Sequence, residues 1–211
     1  MEISDWEQKF QNKLNSLEMS HDPAHDVAHF HRVVRTAKRI ASEECANLEI
    51  VVPAAWLHDL VNTPKNHPDR KKASILSADE AVKYLTEINY PSVWHSQIHH
   101  AIEAHSYSAQ IEAQTLEAKV VQDADRLDSL GAIGTARCLS LGGFFKRSIY
   151  DPMDPFAMSR ALDDGKYTID HFFNKLLKLE KTFQTPSGRK EARKRTLWIE
   201  QFLEQFKDEI T

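Results

Sequence analysis

Cysteine, glycine and proline are all scarce in this chain. Two cysteines among 211 residues, Cys45 and Cys138, cannot build a disulfide scaffold, so a reducing compartment is expected and the location is read as cytoplasmic. Only 6 glycines and 8 prolines argue against collagen-like, low-complexity and strongly disordered chains. Long apolar runs are missing as well. The longest, Val51 to Leu57, is interrupted by Pro53 and is far too short to span a bilayer. The opening Met-Glu-Ile-Ser-Asp-Trp-Glu is acidic and lacks the apolar stretch of a secretory signal. Positive charge is not in excess either. With 27 Lys and Arg against 31 Asp and Glu the formal net charge is -4, which excludes the basic footprint of a nucleic-acid polymer binder. The length suits one domain, taken as residues 1–211.

What is present is helical periodicity. Trp6, Phe10, Leu14 and Leu17 form one apolar stripe. Asp22-Pro23 reads as an N-cap with proline at the first helical position, and Val27, Phe30, Val34, Ala37, Ile40 and Ala41 carry that helix to Cys45. An apolar segment opens at Pro53 and ends in the polar stretch Asn62 to Lys72, expected to be a loop. Helices are expected over Ala73 to Leu85, Pro91 to Ala104, Leu116 to Leu127 (capped by Thr115) and Ala132 to Leu141. Two more should cover Ile169 to Phe183 and Ser187 to Ile210. The fold class is all-α, with a core at about 20–140 and C-terminal helices over 168–210 packed on it. Between them, 142–167 carries five aromatics without clear periodicity, and long loops of that kind are often lids.

Eleven histidines stand out, most of them clustered. His58-Asp59 follows Ala54-Ala55-Trp56-Leu57 and precedes Leu60-Val61, so its backbone is expected to be buried. A buried carboxylate beside a histidine is costly unless a partner compensates it, and a divalent metal is such a partner. A core histidine satisfied by its neighbour is the other reading. A second acidic cluster, Val120 to Asp128, places Asp125 on the same face as Val121 and Ala118. Asp128 could join that face, while Asp123 points elsewhere and reads as solvated or outlying. His25 stands one turn before His29, beside the site or facing substrate.

Taken in order, His29-Phe30-His31-Arg32-Val33, then His58-Asp59, then Ala124-Asp125-Arg126-Leu127-Asp128 resemble the motifs of the HD-domain metal-dependent phosphohydrolases. The likeness extends to the bacterial YedJ-like subgroup. It is carried by Ala55 to Val61 with Lys65 and Arg70, by Ile102 to Ala109, by Glu117 to Asp128 and by Thr185-Pro186-Ser187-Gly188-Arg189, over roughly residues 20 to 205. The resemblance implies a helical bundle holding one divalent ion at its centre through His29, His58, Asp59 and Asp125. Manganese is the first guess, with Mg, Co, Ni, Fe or Zn as alternatives. It implies hydrolysis of a phosphate ester or anhydride of a small metabolite, with a nucleotide as the expected class, by metal-activated water.

Around that ion, Asp59, Lys65 and His105 are the expected catalytic residues, and Lys65, Arg70, His100 and His25 the expected substrate contacts. Aromatics of 142–167 could stack on a base. A homodimer fits the reading, and no membrane partner is expected. A non-catalytic nucleotide-binding or regulatory module is the alternative from another class. A two-metal oxygenase is a weaker one, because the extra histidines are bunched rather than well separated.

Overall fold

The computed structural model describes residues 2–16, 26–61, 72–106 and 109–210. His25, Lys65 and Arg70 lie outside those residues, as do Leu17, Asp22 and Pro23. The order of elements is α1 Ile3–Asn15, α2 Val27–Glu44, α3 Leu48–Leu57, α4 Ala73–Glu87, α5 His95–Glu103, α6 Leu116–Leu127 and α7 Gly131–Phe144, followed by a π-turn at Phe172–Leu176, the short α8 Leu177–Leu179 and the long α9 Pro186–Ile210. The expected all-α class is what the chain adopts. Its one β feature among the described residues is an isolated bridge between Ser148 and Tyr167.

At the centre lies α3. Every residue from Ile50 to Leu57 is buried, and a helix that is apolar all round can be satisfied only inside a bundle. It packs against α1, α2, α4, α5 and α6, and so delivers His58 and Asp59 into the core. The helix begins earlier than the sequence suggests. Asn47 caps it by accepting from the amide of Glu49, which places Pro53 inside the helix rather than at its start. Proline has no N–H to offer the carbonyl four residues back, Glu49. The buried Tyr90 hydroxyl donates to that oxygen instead, at 2.7 Å, which removes the penalty.

Other boundaries move for similar reasons. The cap of α2 is Asp26, whose Oδ1 accepts from the amide of His29 at 2.8 Å. That bond also pins His29 in the first turn. Ser92–Trp94 make a separate 3-10 turn before α5. The stretch expected as one helix from Ile169 to Phe183 is a π-turn, a short α-helix and a 3-10 turn, a sequence that still turns Phe172, Leu176, Leu179 and Phe183 inward. Thr115 caps α6 as expected, accepting from the amide of Ala118.

The N-terminus of α9 is held by acids from two other helices. Asp123 accepts from the amides of Gln184 and Thr185 and from the Thr185 hydroxyl, and Glu44 accepts from the amide and hydroxyl of Ser187. Asp123 is therefore fully buried, not solvated. Burial pushes its carboxyl above the usual range against the donors that stabilise it. The segment 142–167 is also tied down. Asp154 accepts from the amides of Met158, Ser159 and Arg160, while Arg160 makes a two-pronged ion pair with the buried Asp170. Tyr150 and Phe156 pack edge-on against Phe206 of α9.

Candidate metal centre

His29 sits in the first turn of α2, His58 at the C-terminal end of α3, His105 just after α5, and Asp125 in the last turn of α6. Helix ends carry unsatisfied carbonyls, and two of these imidazoles use them. The Nδ1–H of His58 donates to the Ala55 carbonyl at 2.9 Å, and that of His105 donates to Ile102 at 2.6 Å. The Nδ1–H of His29 donates to the carboxylate of Asp128 at 2.8 Å. Because each partner is an acceptor, each ring in its neutral form keeps its hydrogen on Nδ1 and a lone pair on Nε2.

Those lone pairs converge. His29 Nε2 and His58 Nε2 are 3.3 Å apart, and Asp125 Oδ1 lies 3.6 Å from the first and 3.8 Å from the second. The centre of that triangle is about 2.1 Å from each corner, the bond length of a first-row divalent cation to nitrogen or carboxylate oxygen. Three acceptors pointed at one another repel unless a cation lies between them. The donor set, two imidazoles and a carboxylate, suits Mn, Fe, Co, Ni or Zn ions. His29, His58 and Asp125 thus fit a metal.

Asp59 lies alongside. Its Oδ2 is 3.7 Å from His58 Nε2 and its Oδ1 is 3.4 Å from His105 Nε2, so His58, Asp59 and His105 form a second converging group that shares His58. The imidazoles are sealed, with His58 fully buried, whereas the side chains of Asp59 and Asp125 are 29% and 27% exposed. The carboxylates therefore form the mouth of the site. Electrostatics divides His58 from His105. Burial, outweighing Asp59 and Asp125, pushes His58 down to about 4 and keeps it neutral, as a ligand must be. Burial would lower His105 too, but the hydrogen bond and charge of Asp59 overcome it and hold His105 above its ordinary value.

Of the residues expected from sequence, the structure brings together His29, His58, Asp59, His105 and Asp125. His100 is not among them. Its Nδ1 faces Glu103 at 3.0 Å and its Nε2 accepts from the amide of Gln114. His99 lies between Asp79 and Glu103, and His95 donates to the Tyr90 carbonyl. Sequence reasoning gave Asp128 no firm role and missed Arg137 altogether. Asp128 is buried and accepts from His29, from Arg32 and from Arg137, which hold its carboxyl well below the usual range despite burial. The three-residue spacing from Asp125 signalled Asp128; nothing in the pattern signalled Arg137.

The chain is similar to known proteins over most of its length. The HD domain family matches residues 26–130, a span that contains all five converging residues and Asp128. YpgQ of Bacillus subtilis strain 168 is 30% identical over 201 residues, covering 93% of this chain and 90% of YpgQ. The crystal structure of Bacillus subtilis YpgQ in complex with ADP superposes with a TM-score of 0.75 at 29% identity, covering 96% of this chain and 97% of that one. An HD-superfamily hydrolase from Bacillus thuringiensis gives 0.74 at 30% identity, covering 98% and 95% of the two chains. A Lactobacillus plantarum protein gives 0.73 at 32%, covering 99% and 98%.

Proposed function

The chain belongs to the HD-domain family, and from that premise we propose that it is a metal-dependent phosphohydrolase that cleaves a phosphate ester or anhydride of a nucleotide. The observation that carries the reading is the triangle of His29 Nε2, His58 Nε2 and Asp125 Oδ1, three lone-pair donors with no purpose in a plain core. The nucleotide substrate class is supported by the ADP complex of the similar YpgQ. When bound, a divalent ion supplies Lewis acidity toward a phosphoryl oxygen and acidifies water. Manganese is the metal we favour.

The chain's own residues complete the chemistry. His29, His58, Asp59 and Asp125 hold the ion, with the half-exposed carboxylates on the side from which substrate enters. His105, whose hold on a proton Asp59 at 3.4 Å strengthens, is placed to give a proton to the departing oxygen. Lys65, Arg70 and His25 are proposed to contact the substrate's phosphates, with Lys65 neutralising the leaving side, and His100 is retained as a more distant substrate contact. A place in the YedJ-like subgroup rests on the Ala55 to Val61, Glu117 to Asp128 and Thr185 to Arg189 stretches. The scarcity of cysteine, two in the whole chain, suits a cytoplasmic setting.

One observation favours a second reading. His58, Asp59 and His105 could hold a further ion, as a two-metal enzyme requires. However, His58 Nε2 has a single lone pair, and both groups need it, so one ion per chain is preferred. The test is a screen for phosphate and pyrophosphate release over nucleotides with Mn, Mg, Co and Ni, with Asp59→Ala as the blank and metal counted per chain. Metal-dependent release by the wild type alone is expected. Nucleotide binding without release would favour the non-catalytic module, and two ions per chain the two-metal reading.

A further inference from the structure

We propose that Asp128 is a positioning residue for the metal. Clamped between Arg32 of α2 and Arg137 of α7, it holds His29 so that Nε2 faces the ion. Metal affinity then depends on α7, a helix that supplies no ligand. The inference rests on the metal reading above and adds to it a residue that binds no ion itself.

Asp128 ends α6 and is 3% exposed. Its Oδ2 accepts the His29 Nδ1–H at 2.8 Å, Arg32 Nη2 at 3.0 Å and Arg137 Nη1 at 2.8 Å, and its Oδ1 accepts Arg32 Nε at 2.7 Å. Arg137 Nη1 also reaches the backbone carbonyl of Asp128 at 2.9 Å, so one guanidinium fixes both the side chain and the main chain of the residue. With these lone pairs engaged, Asp128 cannot swing toward the ion, which explains why an aspartate three residues beyond Asp125 is not a ligand. It also cannot swing away from His29. A carboxylate on the far nitrogen of a ligating histidine fixes the ring's tautomer and orientation and raises its basicity. If the pairs served packing alone, two guanidinium groups would already satisfy the carboxylate; the His29 bond adds a direction to the ring.

The test uses the full chain, stripped of metal and titrated with Mn2+ alone by calorimetry. Asp128→Asn is expected to weaken Mn2+ binding by about 10- to 100-fold. Activity should recover at saturating Mn2+, which a damaged fold would not allow. Should Asp128→Asn not fold, Arg137→Gln serves in its place, with a smaller loss that Arg137→Lys partly restores. The nitrogen spectrum of the Zn2+-loaded wild type should show His29 carrying its hydrogen on Nδ1. Wild-type affinity in both variants, or the opposite tautomer at His29, overturns the proposal while leaving the metal site intact. A wild type that binds no Mn2+ overturns the metal reading itself.

Discussion

His58 shows how a single side chain is committed to its task. Its Nδ1–H satisfies a carbonyl at the end of α3, its Nε2 faces two other ligands, and burial pushes it down to about 4. In the unfolded chain a histidine takes up a proton near 6.5. Between about 6.5 and about 4 the unfolded state therefore binds a proton that the native state refuses. His58 makes the metal-free chain less stable as pH falls through that window, by roughly 3 kcal/mol. His105 works in the opposite sense: its raised value adds stability below 6.5 that is lost as pH rises through it. A proton-NMR titration of the metal-free chain should give His58 a midpoint near 4 and His105 one above 6.5; a midpoint for His58 near 6.5 would contradict the burial argument. Ligand loss is read separately. Mn2+ at one hundred times its dissociation constant should add about 2.7 kcal/mol to unfolding, and Asp125→Asn should remove that gain in a denaturant melt.

Among the elements, α3 bears the most constraint, because a helix buried on every side has no water to satisfy its breaks. The Tyr90 hydroxyl completes the carbonyl that Pro53 leaves without a donor. Tyr90→Phe should therefore cost about 1–3 kcal/mol, more than the loss of one exposed hydroxyl. A chemical-denaturation midpoint unchanged by that substitution would show the carbonyl to be served otherwise. At the start of α9, a Cβ on Gly188 would lie 2.3 Å from Asp123 Oδ2 and 2.8 Å from Thr185 Oγ1. Gly188→Ala should therefore destabilise by about 1–3 kcal/mol, although alanine is the better helix former. A gain in thermal midpoint would show that the acid anchor yields easily.

Across the whole molecule, α9 is joined to the site's own helices through Asp123 of α6 and Glu44 of α2, so the C-terminal part and the part that holds the histidine cluster share one cluster of buried side chains from Trp6 to Leu203. The segment 142–167 is fastened by Arg160 and Asp170, with Tyr150 and Phe156 committed to α9. Trypsin should cut it slowly and at the same rate with and without nucleotide, and Arg160→Ala should speed the cut. Protection of the wild type by nucleotide would support the lid expected from its length and composition. No helix among the described residues is long and apolar enough to cross a membrane.

By itself the sequence determined the helical class and the Thr115 cap, because periodicity and capping are local, while His29, His58, Asp59 and Asp125 were named through the resemblance of the ordered motifs to the HD-domain family. It also pointed to the burial of His58, through the apolar run on both sides of His58-Asp59, whereas the Asp59 side chain is 29% exposed. Tertiary structure alone decided which nitrogen each imidazole turns to the cluster, why Asp128 is held by Arg32 and Arg137, why Asp123 is buried, and why His100 falls outside the cluster. Those outcomes depend on hydrogen-bond partners brought together by folding. His29 and Asp128 are 99 positions apart and Asp123 and Thr185 are 62, distances over which no spacing rule operates.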